Sequence, residues 1–329
     1  MLTVSAVIPL YNGQQYINDA IGSALAQDYP VDEIIVVDDG STDNGAFVVR
    51  DLIAKHPKIK LITQPNQGQA SARNAGASAS KGELIAFLDQ DDLWYSTHVR
   101  LLVQPFEGET DIGWSYSNID EVDVNGEMVR NGLLDFHPNE HPKRSLHSCL
   151  AQDMHIFPTA TIVSKKAFIE VGGFDERFVG YEDDDLFLRI FRAGFRNSYT
   201  SKPLASWRMH SSSTSFGAVM ARSRQRYFEK LVRTYPDDAA MMRYYVRDLI
   251  APRFTKSATD DLKLAIHRKD RTGQLAALSQ ISAFSEFLAP RQRIKIRLGL
   301  WLLSYGAGRA AYRMAPSFIV RRFHAITSM

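Results

Sequence analysis

The sequence predicts an α/β fold, with a largely parallel sheet in its first half and a helical C-terminal region. Three observations predict it. Apolar runs of strand length alternate with helically spaced segments from Val4 to Leu88. Acidic clusters follow two of those runs: Asp38-Asp39 after Glu33-Ile34-Ile35-Val36-Val37, and Asp89-Gln90-Asp91-Asp92 after Leu84-Ile85-Ala86-Phe87-Leu88. Strand ends are where open α/β sheets bind ligands. From about Ala218 the apolar spacing is helical to the end.

Val4 to Pro9 is a continuous apolar run and reads as the first strand. Tyr16, Ala20, Ile21, Ala24 and Leu25 recur at helical spacing after it. Ile34 to Val37 is the second strand. Ala46, Val49, Leu52 and Ile53 mark the second helix, with Ser41, Thr42 or Asp43 as its cap. Ile59 to Thr63 is a short third strand, Ala70 to Ala79 a helix of small residues, and Leu84 to Leu88 the fourth strand. Beyond Phe106 the alternation loosens. Ile112 to Ser117 is strand-like, Val122 to Val129 reads as a hairpin on Asn125-Gly126, and Pro158 to Val163 is a further strand. Ser164 caps a helix from Lys165 to Val171 that Gly172-Gly173 ends. Leu186 to Ala193 is helical and stops at Gly194. Tyr227, Leu231 and Tyr235 line one late helix, and Met241, Tyr244, Tyr245 and Leu249 another. Pro236, Pro252, Pro290 and Pro316 mark breaks.

Bulk properties narrow the class. At 329 residues, 45% hydrophobic and 23% charged, the chain is globular, with room for one large domain over 1–215 and an appended region over 216–329. The single cysteine, Cys149, forbids an internal disulfide and reads as a buried, inert thiol in a reducing compartment. No basic segment precedes the first apolar run, so the N-terminus reads as a strand and not as a signal peptide. No uncharged apolar stretch reaches the roughly 18 residues of a membrane helix. A cytoplasmic protein is expected. The net charge of +2 hides an asymmetry: eight Lys or Arg and no Asp or Glu follow Phe287, leaving 31 basic against 37 acidic residues before it. An acidic body with a basic, apolar tail points to an anionic surface as partner, and not to nucleic acid.

The acids carry the chemistry. Side chains alternate along an extended chain, so Asp89 and Asp91 point the same way. Hard oxygen ligands of that kind suit Mg²⁺ or Mn²⁺ bound with a phosphate. The competing structural reading is a capped turn ahead of Leu93-Trp94. Asp38-Asp39-Gly40-Ser41-Thr42-Asp43 also reads as a turn, or as a place where a carboxylate accepts from a base N–H or a ribose hydroxyl. Arg73 is the one basic residue between Asn66 and Gly76. It can pair with a phosphate, stack on a base, or form a surface salt bridge. Glu182-Asp183-Asp184-Asp185 opens a helix, where acids favour the macrodipole. Four in succession exceed what capping needs, and a carboxylate beside a diphosphate can take a proton from an attacking hydroxyl.

Taken in order, these motifs resemble those of the family 2 glycosyltransferases. The residues that carry the resemblance are Val7-Ile8-Pro9-Leu10-Tyr11-Asn12-Gly13, Val37 to Asp43, Gly68 to Gly76, Phe87 to Asp92, Gly172-Gly173-Phe174-Asp175-Glu176, Tyr181 to Leu186 and Trp207-Arg208-Met209-His210. They span about the first 215 residues. The resemblance implies a Rossmann-like GT-A fold with a mixed, mainly parallel central sheet, a nucleotide-diphosphate sugar donor, and inversion at the anomeric carbon. By position, Asp39, with Asp38, would contact the nucleoside, and Pro9 and Tyr11 would line the base pocket. Arg73 and Glu182 would sit near the donor, Asp89 would face the ribose, and Asp91 would ligate the metal, with Asp89 and His210 as further candidate ligands. Asp183 would be the catalytic base. Position 184, often aromatic in the family, is Asp184 here.

The expected reaction moves a sugar, UDP-linked by the resemblance, to a hydroxyl of a carbohydrate or glycolipid acceptor in surface polysaccharide or glycolipid synthesis. Two rivals keep the same residues: a metal-dependent phosphatase using Asp89 as nucleophile and Asp91 as acid, and a non-catalytic nucleotide-sugar-binding scaffold. In the tail, Leu298, Leu300, Trp301, Leu302 and Leu303 read as a helical core or a homodimer contact. Arg291, Arg293, Lys295 and Arg297 before them, and Arg309, Arg313, Arg321 and Arg322 after, suit an interfacial helix on anionic lipid at the inner face of the plasma membrane.

Overall fold

The computed structural model describes residues 1–137, 139–210 and 218–304. The chain divides into two compact units, Met1–Ser148 with Met154–Ser215, and Cys149–Asp153 with Phe216–Met329.

The first unit alternates β1 (Val4–Leu10), α1 (Ile17–Leu25), β2 (Glu33–Asp38), α2 (Gly45–Lys55), β3 (Ile59–Thr63), α3 (Gln69–Ala79) and β4 (Leu84–Phe87). Then follow β5 (Leu93–Trp94), α4 (His98–Val103), β6 (Ile112–Val122), β7 (Met128–Arg130), α5 (Leu146–Ala151), β8 (Thr161–Ser164), α6 (Lys165–Glu170), α7 (Glu182–Arg192) and β9 (Arg196–Arg208). Among the described residues the strands form one sheet in the order β3-β2-β1-β4-β8-β6-β9-β5, with β7 paired to β6. β1 to β4 are parallel neighbours, β8 runs antiparallel between β4 and β6, and β9 is parallel to β6. The sheet is therefore mixed and mainly parallel.

Every residue of β1 and β2 is buried, as expected of parallel strands covered on both faces. Ile34 and Val36 point into the core that holds α1, while Ile35 and Val37 pack with Ala72 of α3 on the other side. The small residues of α3 let it lie close to the sheet. A Cβ on Gly76 would stand 2.4 Å from Val7 Cγ1 and 3.2 Å from Val37 Cγ2.

Four local expectations need correction. The cap of α2 is Asn44, without a side-chain bond; Asp43 instead accepts from Gly45 N–H at 2.8 Å and from Gln14 N–H at 2.8 Å. The run Pro158 to Val163 opens as a 3₁₀ turn over Pro158–Ala160, and the strand begins at Thr161. β9 was not predicted, because Arg196 to Lys202 shows no apolar alternation. Its pairing along β6 makes it a strand, through three register shifts. The two-residue β5 lacks a local signal and exists through Leu93↔Ser206 and Trp94↔Ala205.

The second unit contains α8 (Ala218–Thr234), a π-helical turn (Val246–Ile250), α9 (Ala251–His267), α10 (Arg271–Ser285) and α11 (Pro290–Ser304). Tyr227, Phe228, Leu231, Phe254, Ile281 and Phe284 are buried in it, and the Phe228 and Phe284 ring centroids lie 4.5 Å apart. Met241 does not share a helix with Leu249. It is exposed on a turn in which Asp238 bridges to Arg243, and Asp237 accepts from Val246 N–H at 2.7 Å to start the helix there. Pro252 does not break the chain. It follows the π-helical turn directly, as the second residue of α9, and the helix continues through it. Cys149 is buried, as expected. No helix of the described residues is long and apolar enough to cross a membrane. Arg309, Arg313, Pro316, Arg321 and Arg322 lie outside the described residues.

Candidate active site

The end of β2 fixes the start of α3. Asp38 Oδ1 accepts from Ser41 N–H at 2.9 Å. Asp39 accepts from Gln64 Nε2 (2.8 Å) and Gln67 N–H (2.9 Å) on one oxygen and from Gly68 N–H (2.8 Å) on the other. Both acids are buried. Gly68 has a φ of 89°, which favours glycine, and α3 begins at the next residue. Asp39 thus determines where the helix bearing Arg73 starts.

Arg73 is 2% exposed, so the expected surface salt bridge is not what it makes. Its Nη2 lies 2.5 Å from Asp89 Oδ1 and its Nη1 3.1 Å from Glu182 Oε1. The guanidinium also stands 5.5 Å from the centroid of the Phe174 ring. Glu182 is held further by Gln69 Nε2 on Oε1 and by Gly180 N–H on Oε2 at 2.7 Å. Arg73 therefore joins the acid after β4 to the acids that open α7. Asp89, Glu182 and Asp183 together hold its guanidinium firmly protonated against the cost of burial.

The four acids of α7 have separate surroundings. Glu182 faces Arg73. Asp184 is buried and accepts from Met154 N–H at 3.0 Å. Asp185 pairs with Arg189 at 2.8 Å, and Arg189 donates to the carbonyls of Val171 and Gly173. Asp183 is half-buried, and its Oδ1 accepts from Asp184 N–H at 2.8 Å. Loss of hydration, and then the charges of Glu182 and Asp184, push its carboxyl well above the usual range. A carboxyl so raised is a good proton acceptor once ionised.

After β4, Asp91 Oδ2 lies 2.6 Å from His210 Nε2, and His210 stacks on Tyr16 with ring centroids 5.6 Å apart. Burial, then the charge of Asp89, raises the Asp91 carboxyl. Asp92 is buried and clamps the loop: it accepts from Thr159 Oγ1 at 2.7 Å and from Arg208 N–H at 2.9 Å. Thr159 Oγ1 accepts in turn from Asp89 N–H at 3.0 Å. Gln90 holds the backbone of Tyr11 through two hydrogen bonds. The Tyr11 side chain is about half exposed, while Pro9 is buried in β1 opposite Val37.

Among the described residues, no group of three His, Cys, Asp or Glu side chains is arranged to hold a metal ion. Asp89, a further candidate ligand, gives its Oδ1 to Arg73. The donor chemistry of Asp91 and His210 does fit a divalent cation. A hard carboxylate oxygen and an imidazole nitrogen lie side by side, and burial with the charge of Asp89 outweighs what His210 does to lower that carboxyl. Sequence reasoning missed Gln69, Gln90, Thr159 and Arg208 as site residues. Gln69, Gln90 and Arg208 lie inside motifs that carry the family resemblance, and Thr159 does not.

A mixed, mainly parallel sheet with acids gathered after β2 and β4 is the arrangement of the GT-A fold, and solved structures share it. S. aureus TarS (residues 1–349, in complex with UDP-GlcNAc) superposes with a TM-score of 0.68 at 18% identity, covering 95% of this chain and 92% of that one. The mannosyltransferase PcManGT of Pyrobaculum calidifontis, in complex with GDP-Man and Mn²⁺, gives 0.57 at 16% identity, covering 99% and 84%. The "Glycosyl transferase family 2" pattern matches residues 5–172, and "N-terminal domain of galactosyltransferase" matches 152–212. Glycosyltransferase GlyG of Streptococcus pneumoniae serotype 4 is 30% identical over 242 residues, which is 70% of this chain and 79% of GlyG. The chain belongs to glycosyl transferase family 2. It spans only 19% to 40% of the length of other curated relatives that it matches.

Proposed function

We propose that the chain is an inverting, divalent-cation-dependent glycosyltransferase that moves a sugar from a UDP-sugar to a carbohydrate or glycolipid hydroxyl. The observation that carries this reading is the Asp89–Arg73–Glu182 connection. It ties the acidic cluster after β4 to the helix that presents Asp183. Residues 1–215 form the catalytic domain and 216–329 a helical appendage.

Asp183 takes the proton from the acceptor hydroxyl, whose oxygen attacks the anomeric carbon opposite the nucleotide. Its raised carboxyl suits that task. Asp39 has three hydrogen bonds on a group with about four acceptor sites. The remaining site, with Asp38, serves the nucleoside, and Pro9 and Tyr11 flank the base. Asp89 faces the ribose, and Arg73 and Glu182 position the donor end of the cleft. Asp91 and His210 hold the cation, which when bound offsets negative charge on the departing diphosphate. The UDP-GlcNAc complex of TarS favours a uridine donor, and the GDP-Man and Mn²⁺ complex of PcManGT supports the cation and keeps guanosine donors as competitors. A phosphatase gives Asp38-Asp39 and Arg73 no task, and a scaffold gives none to Asp183. We place the enzyme in surface polysaccharide or glycolipid synthesis, on the cytoplasmic side of the plasma membrane, with its basic tail on anionic lipid. Homodimer formation through that tail is the competing outcome.

The test is Asp183→Asn. Turnover should fall by about 10² to 10⁴-fold, while thermal stabilisation by a UDP-sugar with Mn²⁺ stays unchanged. Unchanged turnover removes Asp183 from the mechanism. An NMR spectrum showing retained anomeric configuration in the product overturns inversion.

A further inference from the structure

The last described helix of the second unit, α11, carries exposed apolar residues. Ile294, Leu298 and Trp301 of α11 are 67%, 55% and 54% exposed. Their spacing of four and three residues stacks them on one face of a helix with 3.6 residues per turn. By the same repeat, Arg291 and Lys295 fall along one flank of that stripe and Arg297 along the other. All three cations are exposed. Arg297 pairs with Glu286 at 2.7 Å, and Glu286 is the last acidic residue of the chain. Phe287, just ahead of the helix, is 42% exposed.

Three occupants could cover such a face, and charge separates them. A second copy of α11 would set Arg291 and Lys295 of one helix against those of the other, which repels. The chain's own residues 305–329 carry Arg309, Arg313, Arg321 and Arg322 and no acid, so they offer the flanking cations no counter-charge. What the face complements is a partner that is anionic outside and apolar inside. An apolar stripe with Trp at one end and cations on both flanks is the pattern of a helix lying in a bilayer interface. Basic residues near an anionic leaflet each add attraction there.

We infer that the Ile294–Leu298–Trp301 face of α11 docks in the interface of an anionic lipid bilayer. The inference rests on the lipid contact proposed above for the tail and assigns it to named side chains. It uses no part of the donor site.

The experiment is co-sedimentation of the full chain with vesicles of phosphatidylcholine alone or with 30% phosphatidylglycerol. The expected result is binding to the anionic vesicles that weakens as salt is raised, and none to the neutral ones. Ile294→Ser and Leu298→Ser each remove a side chain that is mostly exposed, so far-UV circular dichroism should not change. Each should lower the partition coefficient about tenfold, the equivalent of burying part of one aliphatic side chain. A full chain with Arg309, Arg313, Arg321 and Arg322 all replaced by Ala separates the two ideas. If that variant loses binding while the two Ser variants keep it, the tail binds lipid and the α11 face does not. Equal binding to neutral vesicles overturns the charge argument. No binding to either vesicle ends both ideas, and a dimer by light scattering that the Ser variants convert to monomer assigns the face to a second copy. Normal binding by both Ser variants overturns the inference outright.

Discussion

Replacing Arg73 by Met tests whether one buried cation balances the site. The side chain is 2% exposed and serves two acids, Glu182, whose side chain is 4% exposed, and Asp89, at 31%. The substitution keeps an apolar stem and removes the charge. Asp89 can turn to water, so its share of the cost is small. Glu182 cannot. It keeps Gln69 and Gly180 N–H as donors but loses its counter-charge. Removing one partner of a buried ion pair typically costs about 3–5 kcal/mol, a large part of the roughly 5–15 kcal/mol that holds a domain folded. Urea denaturation at neutral pH, followed by tryptophan fluorescence, measures it. Adding Glu182→Gln to the same chain should recover most of the loss, because a neutral amide tolerates burial where a carboxylate does not. Arg73→Lys should fall between wild type and Arg73→Met, since a point charge cannot reach both acids with a fork. A loss under about 1 kcal/mol, the value of an exposed pair, with no recovery from Glu182→Gln, would refute the reasoning.

Three further outcomes are expected. Asp91→Ala should weaken Mn²⁺-dependent UDP-sugar binding while leaving the fold intact; a calorimetric titration that matches wild type counts against its ligand role. Gly76→Ala should destabilise by about 1–3 kcal/mol, since its Cβ would press on Val7 in the wall between α3 and the sheet, and an unchanged melting temperature would show that α3 can retreat freely. His98 is fully buried against Trp94, ring centroids 4.5 Å apart, and burial pushes its imidazole down to about 3. The unfolded chain protonates it near 6.5, so its contribution is intact above that pH and is lost as pH falls toward 3, at roughly 1.4 kcal/mol per pH unit. His98→Phe should flatten the acid limb of the stability curve by one proton, leaving the similar contribution of His141, also down to about 3; an unaltered limb in urea titrations would show that His98 takes up its proton alike in the folded and unfolded chain.

The sheet's parallel half was legible because its strands are buried on both faces and so must be apolar throughout, as β1 and β2 are. β9 was not, because its polar first half is a strand only by pairing with β6, information that lies some eighty residues upstream. The acids were legible as clusters, and the family order of motifs implies roles for them. Their wiring was not. Arg73 looks in sequence like a surface residue on a helix of small neighbours; its burial is decided by Asp89, 16 residues on, and Glu182, 109 residues on. Thr159 carries no local sign that it links Asp92 to the Asp89 backbone. A sequence records which charges a site owns. Which of them cancel is settled by the fold, and here Arg73 compensates Asp89 and Glu182 while Asp183 is left with its raised carboxyl beside them. That leftover charge imbalance separates the group proposed to move a proton from the acids that Arg73 holds in place. A direct pair between Arg73 and Asp183 would have lowered that carboxyl further than the Arg73 charge does now, and weakened it as a base.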